Sequence, residues 1–149
     1  MLKNYTSKVP ANTSLAYIER KLVQHGATRI LKTYDSERKR VTAMCFAMEI
    51  DGVDVHFRLP ARVANCEQVL RANLTSRSRP ETIKKMPAQA ERTAWKIVLD
   101  WVEAQMAMIE LAQIEVMEVF MPYVFDGKQT YYELIKEKGY KALLPGSKQ

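Results

Sequence analysis

An α+β fold, with a three-stranded antiparallel sheet flanked by helices and one long central helix, is predicted by three observations on this chain. Residues 89–121 contain neither Gly nor Pro and place apolar side chains around most of a helical circumference. Residues 41–50 and 53–59 are apolar, strand-like runs that meet at Asp51-Gly52, a pair suited to the positive φ of a type I′ turn. Shorter helical periodicities stand on either side of that hairpin, so sheet and helix signals are segregated along the chain and do not alternate as in a βαβ fold.

Taken in order, residues 1–13 are expected to be extended, with Pro10 discouraging helix just before it. Thr13 or Ser14 then caps a helix to Gln24 with Leu15, Ile18 and Leu22 on one face, and Gly26 stops it. Residues 28–34 form the first strand, and residues 35–40 are a loop ending in three cations. In the hairpin a two-residue turn fixes the register: Ile50 opposite Val53, Met48 opposite Val55, Phe46 opposite Phe57 and Met44 opposite Leu59 on the core face. By parity the other face carries Ala43, Cys45 and Ala47, with His56 and Arg58 standing over them. That shallow face either receives a flat ligand or backbone, or is exposed, or is covered by another helix.

Pro60 is expected to open a helix to Leu74, followed by a solvated connector over residues 75–87. The long helix follows and at ~1.5 Å per residue spans roughly 50 Å before Pro122 ends it. Its polar strip is Arg92, Lys96, Asp100, Glu103 and Glu110, and the wide apolar remainder is either wrapped by the rest of the domain or shared with a second copy. Trp95, Trp101, Met106, Met108, Met117 and Met121 are the candidate homo-oligomer interface. Asp126-Gly127 is a turn, residues 130–138 a closing helix stopped by Gly139, and the tail from Lys141 is frayed. Residues 1–149 thus form one domain with a basic αβββα part (1–74), a basic connector (75–87) and a helical part (88–149); the alternative is two lobes joined by the connector.

Charge is unevenly placed. Residues 1–96 hold 18 Lys plus Arg against 9 Asp plus Glu, net +9, and residues 97–149 hold 5 against 8, net −3, which together give the chain's +6. Candidate nucleic-acid or nucleotide contacts are Arg38, Lys39 and Arg40 in the loop, His56 and Arg58 on the shallow face, Arg77, Arg79, Lys84 and Lys85 in the connector, and Arg92 near the start of the long helix. Chemistry is otherwise sparse. The five glycines stand singly, which excludes P-loop and dinucleotide fingerprints. Neither His25 nor His56 has a nucleophile or acid placed beside it by sequence, and no Glu of the long helix has a His at i+3, so neither a catalytic group, a metal site nor a cofactor is expected. Cys45 and Cys66 are expected as reduced core residues, and no apolar run has the length of a membrane span.

Several strings are familiar: Asn4-Tyr-Thr-Ser-Lys-Val-Pro10, Gly26-Ala27, Phe57-Arg-Leu-Pro-Ala61, Gln89-Ala-Glu-Arg92 with Ala94-Trp95, Asp100-Trp-Val-Glu-Ala-Gln-Met-Ala107, and Val119-Phe-Met-Pro-Tyr123. In these the chain resembles a family of small uncharacterised proteins encoded by tailed bacteriophages and prophages, over about residues 4–135; Thr93 and Leu99 depart from the pattern. The resemblance implies an accessory protein made in the cytoplasm of a bacterial host and carries no established activity. Its leading implication here is non-enzymatic contact with DNA or RNA through the basic half. The alternative is an anti-defence protein that sequesters a small nucleotide signal, with Arg58, His56 and Arg92 converging on it, or that inhibits a host protein.

Overall fold

A computed structural model describes residues 1–146 of the chain. Its elements are α1 (Ala11–Gln24), β1 (Ala27–Tyr34), β2 (Val41–Ile50), β3 (Val53–Pro60), α2 (Val63–Ala72), α3 (Pro80–Lys84), α4 (Met86–Glu110), α5 (Val116–Phe120) and α6 (Tyr131–Lys138), with 3₁₀ turns at Met121–Tyr123 and Tyr140–Leu143. The sheet is antiparallel in the order β1-β2-β3. Asp51 and Gly52 both have positive φ, and every pair from Ile50↔Val53 to Met44↔Leu59 stands in the expected register. Met44, Phe46, Met48, Phe57 and Leu59 are buried on the core face, where Phe46 and Phe57 stack at 4.8 Å.

Above that face α4 runs between α1 and α2, and one hydrophobic core joins all three to the sheet. Ala90 and Ala94 are buried with Trp95, Leu99, Val102 and Met106 along the inner side of α4; side chains this small allow neighbouring helices to approach closely. The N-terminal residues are not extended as expected: residues 3–6 form a turn in which Asn4 takes φ +61° and its carbonyl accepts from the Ser7 amide at 2.9 Å, and this turn is tied to α4 through polar groups. The Thr93 hydroxyl donates to the Asn4 carbonyl at 2.9 Å, Gln89 and Arg92 both donate to the Ser7 carbonyl, and Asn4 donates to Asp100. On the opposite flank Phe120 is fully buried against Phe46, Phe57 and Trp101. The wide apolar band of α4 is therefore covered from several sides within one chain.

Several boundaries differ from expectation. Helix α1 starts at Ala11, directly after Pro10, whose extended ψ makes it the N-cap and leaves Thr13 and Ser14 inside the first turn. Pro60 does not open α2: it closes β3 at the free edge of the sheet, where a missing amide costs no ladder bond. The connector contains α3, and Pro87 lies in the first turn of α4, where Pro is tolerated. The tail forms a 3₁₀ turn over Tyr140–Leu143, and the last residues of the expected frayed tail, 147–149, lie outside the described residues.

The largest difference is the break in the long helix, which stops at Glu110 and not at Pro122. Ala112 takes φ +56°, its amide donates to Ile109 at 2.9 Å, and the Gln113 amide donates to Met108 at 3.0 Å. That pair of bonds is a Schellman motif with alanine where glycine normally sits. The left-handed conformation disfavours a Cβ, so Ala112→Gly is expected to raise stability by about 0.5–1 kcal/mol in chemical denaturation. Unchanged or lower stability would show that Ala112 is not strained there.

Candidate nucleic-acid interface

The loop between β1 and β2 is shaped by Asp35. Its amide donates to the Arg40 carbonyl at 2.8 Å, and its carboxylate accepts from the Arg38 amide and from Arg40 Nε. The Arg38 amide, with lesser help from Arg40, holds the Asp35 carboxyl below its ordinary value. Lys39 takes φ +56° at the tip. This geometry sends Arg38 and Arg40 towards α2, where both donate to Glu67 Oε1, at 2.8 and 3.2 Å. Arg71, one turn later on α2, donates to Glu67 Oε2 at 3.1 Å. Burial pushes the Glu67 carboxyl up, but the bonds from Arg71 and Arg40 and the charge of Arg38 outweigh it and leave the group below its ordinary value.

Three guanidinium groups are thereby held around one carboxylate. They line an open cleft of about 700 Å³ that also receives Arg62, Val63 and Asn65 from the start of α2. Arg62 is the N-cap, with φ +53° and no side-chain cap over the first helical amides. The lining carries Arg38, Arg40, Arg62 and Arg71 against Asp35, Glu37 and Glu67, net +1; Asp35 and Glu67 are engaged in organising the arginines, Glu37 is exposed, and Arg62 is exposed and makes no ion pair among the described residues. Each guanidinium offers five N–H donors in a fixed fork, and Arg38 and Arg71 each spend one side-chain donor on Glu67. The remaining donors suit phosphate oxygens. Arg40 also donates to the Pro87 carbonyl at 3.4 Å, which ties the cleft to the first turn of α4, next to the exposed Lys84 and Lys85. Arg77 and Arg79 are exposed in the turn after α2 and make no side-chain contact with the cleft.

The outer face of the sheet is built differently. Ala43, Cys45 and Ala47 of β2 face outward, yet Ala43, between Thr33 and Pro60, and Ala47, between Arg29 and His56, are buried. Arg29 and His56 flank Ala47 in register, come within 3.5 Å of each other, and both contact Asp54. Among the described residues no helix lines the hollow on this face. Instead the chain after the 3₁₀ turn pairs with β3: the Phe125 amide donates to the His56 carbonyl at 2.8 Å, and the Arg58 guanidinium lies 5.5 Å from the Phe125 ring centre. A hollow of about 770 Å³ results, with Leu31 and Phe125 as apolar walls and Cys45 and Ala47 in its floor. Burial raises the Cys45 thiol above its ordinary value, so it is a poor nucleophile at neutral pH.

Arg92 does not join His56 and Arg58. Its donors go to Ser7 and Gln89 on the helical side of the sheet, so the convergence expected of these three side chains does not occur within one chain. The expected oligomer surface is also reduced. Trp95 and Met106 are fully buried in the core, and Trp101 packs edge-on against Phe120 and Tyr123, because these side chains lie on the face of α4 turned to the sheet and C-terminal segment. Met117 is half-buried, and Met108 and Met121 are exposed. Glu115 and Glu118 cap α5, with Glu118 accepting from the Glu115 amide at 3.1 Å, and among the described residues no group of His, Cys, Asp and Glu is arranged to hold a metal ion. No helix among the described residues is long and apolar enough to cross a membrane.

Arg29, Arg62, Glu67, Arg71 and Phe125 were not singled out by the sequence. The i,i+4 spacing of Glu67 and Arg71 was a usable signal; the union of either with the 35–40 loop depends on tertiary packing alone. No family model, no curated protein and no solved structure matches the chain.

Proposed function

We propose that this is a phage- or prophage-encoded accessory protein of the bacterial cytoplasm that contacts nucleic acid without catalysing a reaction on it. The observation that carries this reading is the arginine cleft, in which guanidinium groups from a loop and a helix are held by Glu67 around an uncapped helix start. Guanidinium forks match phosphate geometry, and helix-terminal amides favour an anion. The basic balance of residues 1–96 adds long-range attraction for a polyanion.

Arg62 and Lys39 are suited to test this because both are exposed and, among the described residues, neither makes a side-chain hydrogen bond or ion pair. The double variant Arg62→Ala, Lys39→Ala is expected to bind a labelled oligonucleotide about tenfold more weakly at low salt and to lower the slope of log affinity against log salt by about 2. Fluorescence anisotropy from about 50 to about 200 mM salt reads both quantities. Absence of salt-dependent binding by the unmodified protein would sink the proposal.

The second reading, sequestration of a nucleotide signal, is supported by the hollow on the outer sheet face, which combines the Phe125 wall with Arg29 and His56. Saturable binding of one mononucleotide or cyclic dinucleotide, with no affinity for oligonucleotides, would favour it over the first.

A further inference from the structure

The cleft and the hollow are not separate features. The residues of β3 that face outward are Asp54, whose carboxylate is paired with Arg29 and His56, then His56, Arg58 and Pro60, and the chain next reaches Arg62 at the start of α2. From His56 to Arg62 is six residues, roughly 20 Å at about 3.3 Å each. At one end Phe125 walls the hollow with Arg58 over its ring. In the middle Tyr132, 44% exposed, shares a smaller hollow of about 290 Å³ with Pro60 and Arg62. At the other end Arg62 and Pro60 belong to the arginine cleft itself.

Aromatic faces and cations therefore alternate along one edge of the sheet. A duplex keeps its base faces stacked inside and would find only the cations, leaving Phe125 and Tyr132 unused. A single strand offers both a phosphate chain and unstacked bases. We infer that the ligand is single-stranded nucleic acid lying along β3, with bases on Phe125 and Tyr132 and phosphates on Arg58, Arg62 and the arginine cleft. Every base has a π-face, so this mode tolerates sequence. Glu133 opposes it: this carboxylate, held down mainly by its bonds with Thr130, also feels the charges of Arg58 and Arg62 and so stands beside the track.

The inference rests on the nucleic-acid reading above, and the test separates the two. Anisotropy is measured with an unstructured oligothymidylate, with a duplex of the same length and with thymidine monophosphate, for wild type, Phe125→Leu and Tyr132→Leu. Leucine retains apolar volume and removes the stacking face; Tyr132 is exposed, so its variant carries the test if Phe125→Leu melts early. The expected result is preference for the single strand, about tenfold weaker single-strand binding in each variant, and duplex binding unchanged by either. Equal or tighter duplex binding, or variants that bind the single strand like wild type, would overturn the single-strand path and leave nucleic-acid contact standing. Monophosphate bound as tightly as the oligomer would overturn it in favour of a small-nucleotide site. Failure of both polymer probes would remove both readings.

Discussion

Trp95→Ala is expected to lower the free energy of unfolding by about 3–5 kcal/mol. Trp95 is 0% exposed at the centre of α4, and its indole Nε1–H donates to the Val41 carbonyl of β2 at 2.9 Å. Truncation therefore removes two things at once: the packing that joins α4 to the sheet, and the donor for a carbonyl in a buried residue, whose loss alone costs about 1–3 kcal/mol. Because a domain of this kind is stable by about 5–15 kcal/mol, the variant should unfold at much lower urea. Trp95→Phe keeps a six-membered ring but loses the N–H together with part of the indole volume, so its cost is expected to exceed the hydrogen-bond loss of about 1–3 kcal/mol and to stay below that of the alanine variant. Urea titration followed by circular dichroism reads both. A loss below about 1 kcal/mol for the alanine variant would contradict the place given to α4.

The hairpin was legible in full because Asp51-Gly52 fixes the turn type, the turn type fixes the register, and the register assigns every side chain to a face. The end of the long helix was illegible for the converse reason. Alanine is the strongest helix former and carries no stop signal, yet at Ala112 it adopts the left-handed conformation that closes a Schellman motif. Prolines misled in both directions: Pro60 ends a strand, Pro87 opens a helix, and only the tertiary setting of each decides. Several of the sequence strings singled out at the start touch one another. Asn4 and Ser7 meet Gln89, Arg92 and Asp100 through hydrogen bonds, and Phe57, Trp101, Phe120 and Tyr123 form a chain of ring contacts. These strings therefore have a structural explanation before any functional one.

For the candidate site, sequence located two of the cleft's four arginines, Arg38 and Arg40, but neither Arg62 and Arg71 nor the shared partner Glu67. Arg38 and Arg40 were visible as part of a basic run; that both turn onto Glu67, 29 and 27 residues away, follows from the packing of α2 on α4. Arg92 was expected to face a ligand because it stands near the start of a helix, but two local acceptors, the Ser7 carbonyl and Gln89, take its donors. Phe125 escaped notice because a lone aromatic beside a turn has no periodicity; it matters only after Val124 and Phe125 pair back on β3.

Glu67 is the point at which stability and the candidate site meet, and Glu67→Gln is expected to cost about 2 kcal/mol at neutral pH. Its side chain is only 13% exposed and accepts from three guanidinium groups. Glutamine keeps one acceptor oxygen but removes the charge that holds Arg38, Arg40 and Arg71 together. The sign of the pH effect follows from the lowered carboxyl. Its contribution is fully present above the unfolded-state value, near the ordinary 4.5, and is lost as pH falls through the lower folded-state value. The stability of wild type and variant should thus differ by a constant amount above that range and converge below it. Asp35, also lowered, leaves residual acid sensitivity in the variant, while Glu91, raised mainly by burial, acts with the opposite sign in both proteins. Denaturant titrations at a series of pH values read the difference directly. A gap that persists unchanged in acid, or no gap at neutral pH, would mean that the arginine cluster is held by packing and not by the Glu67 carboxylate.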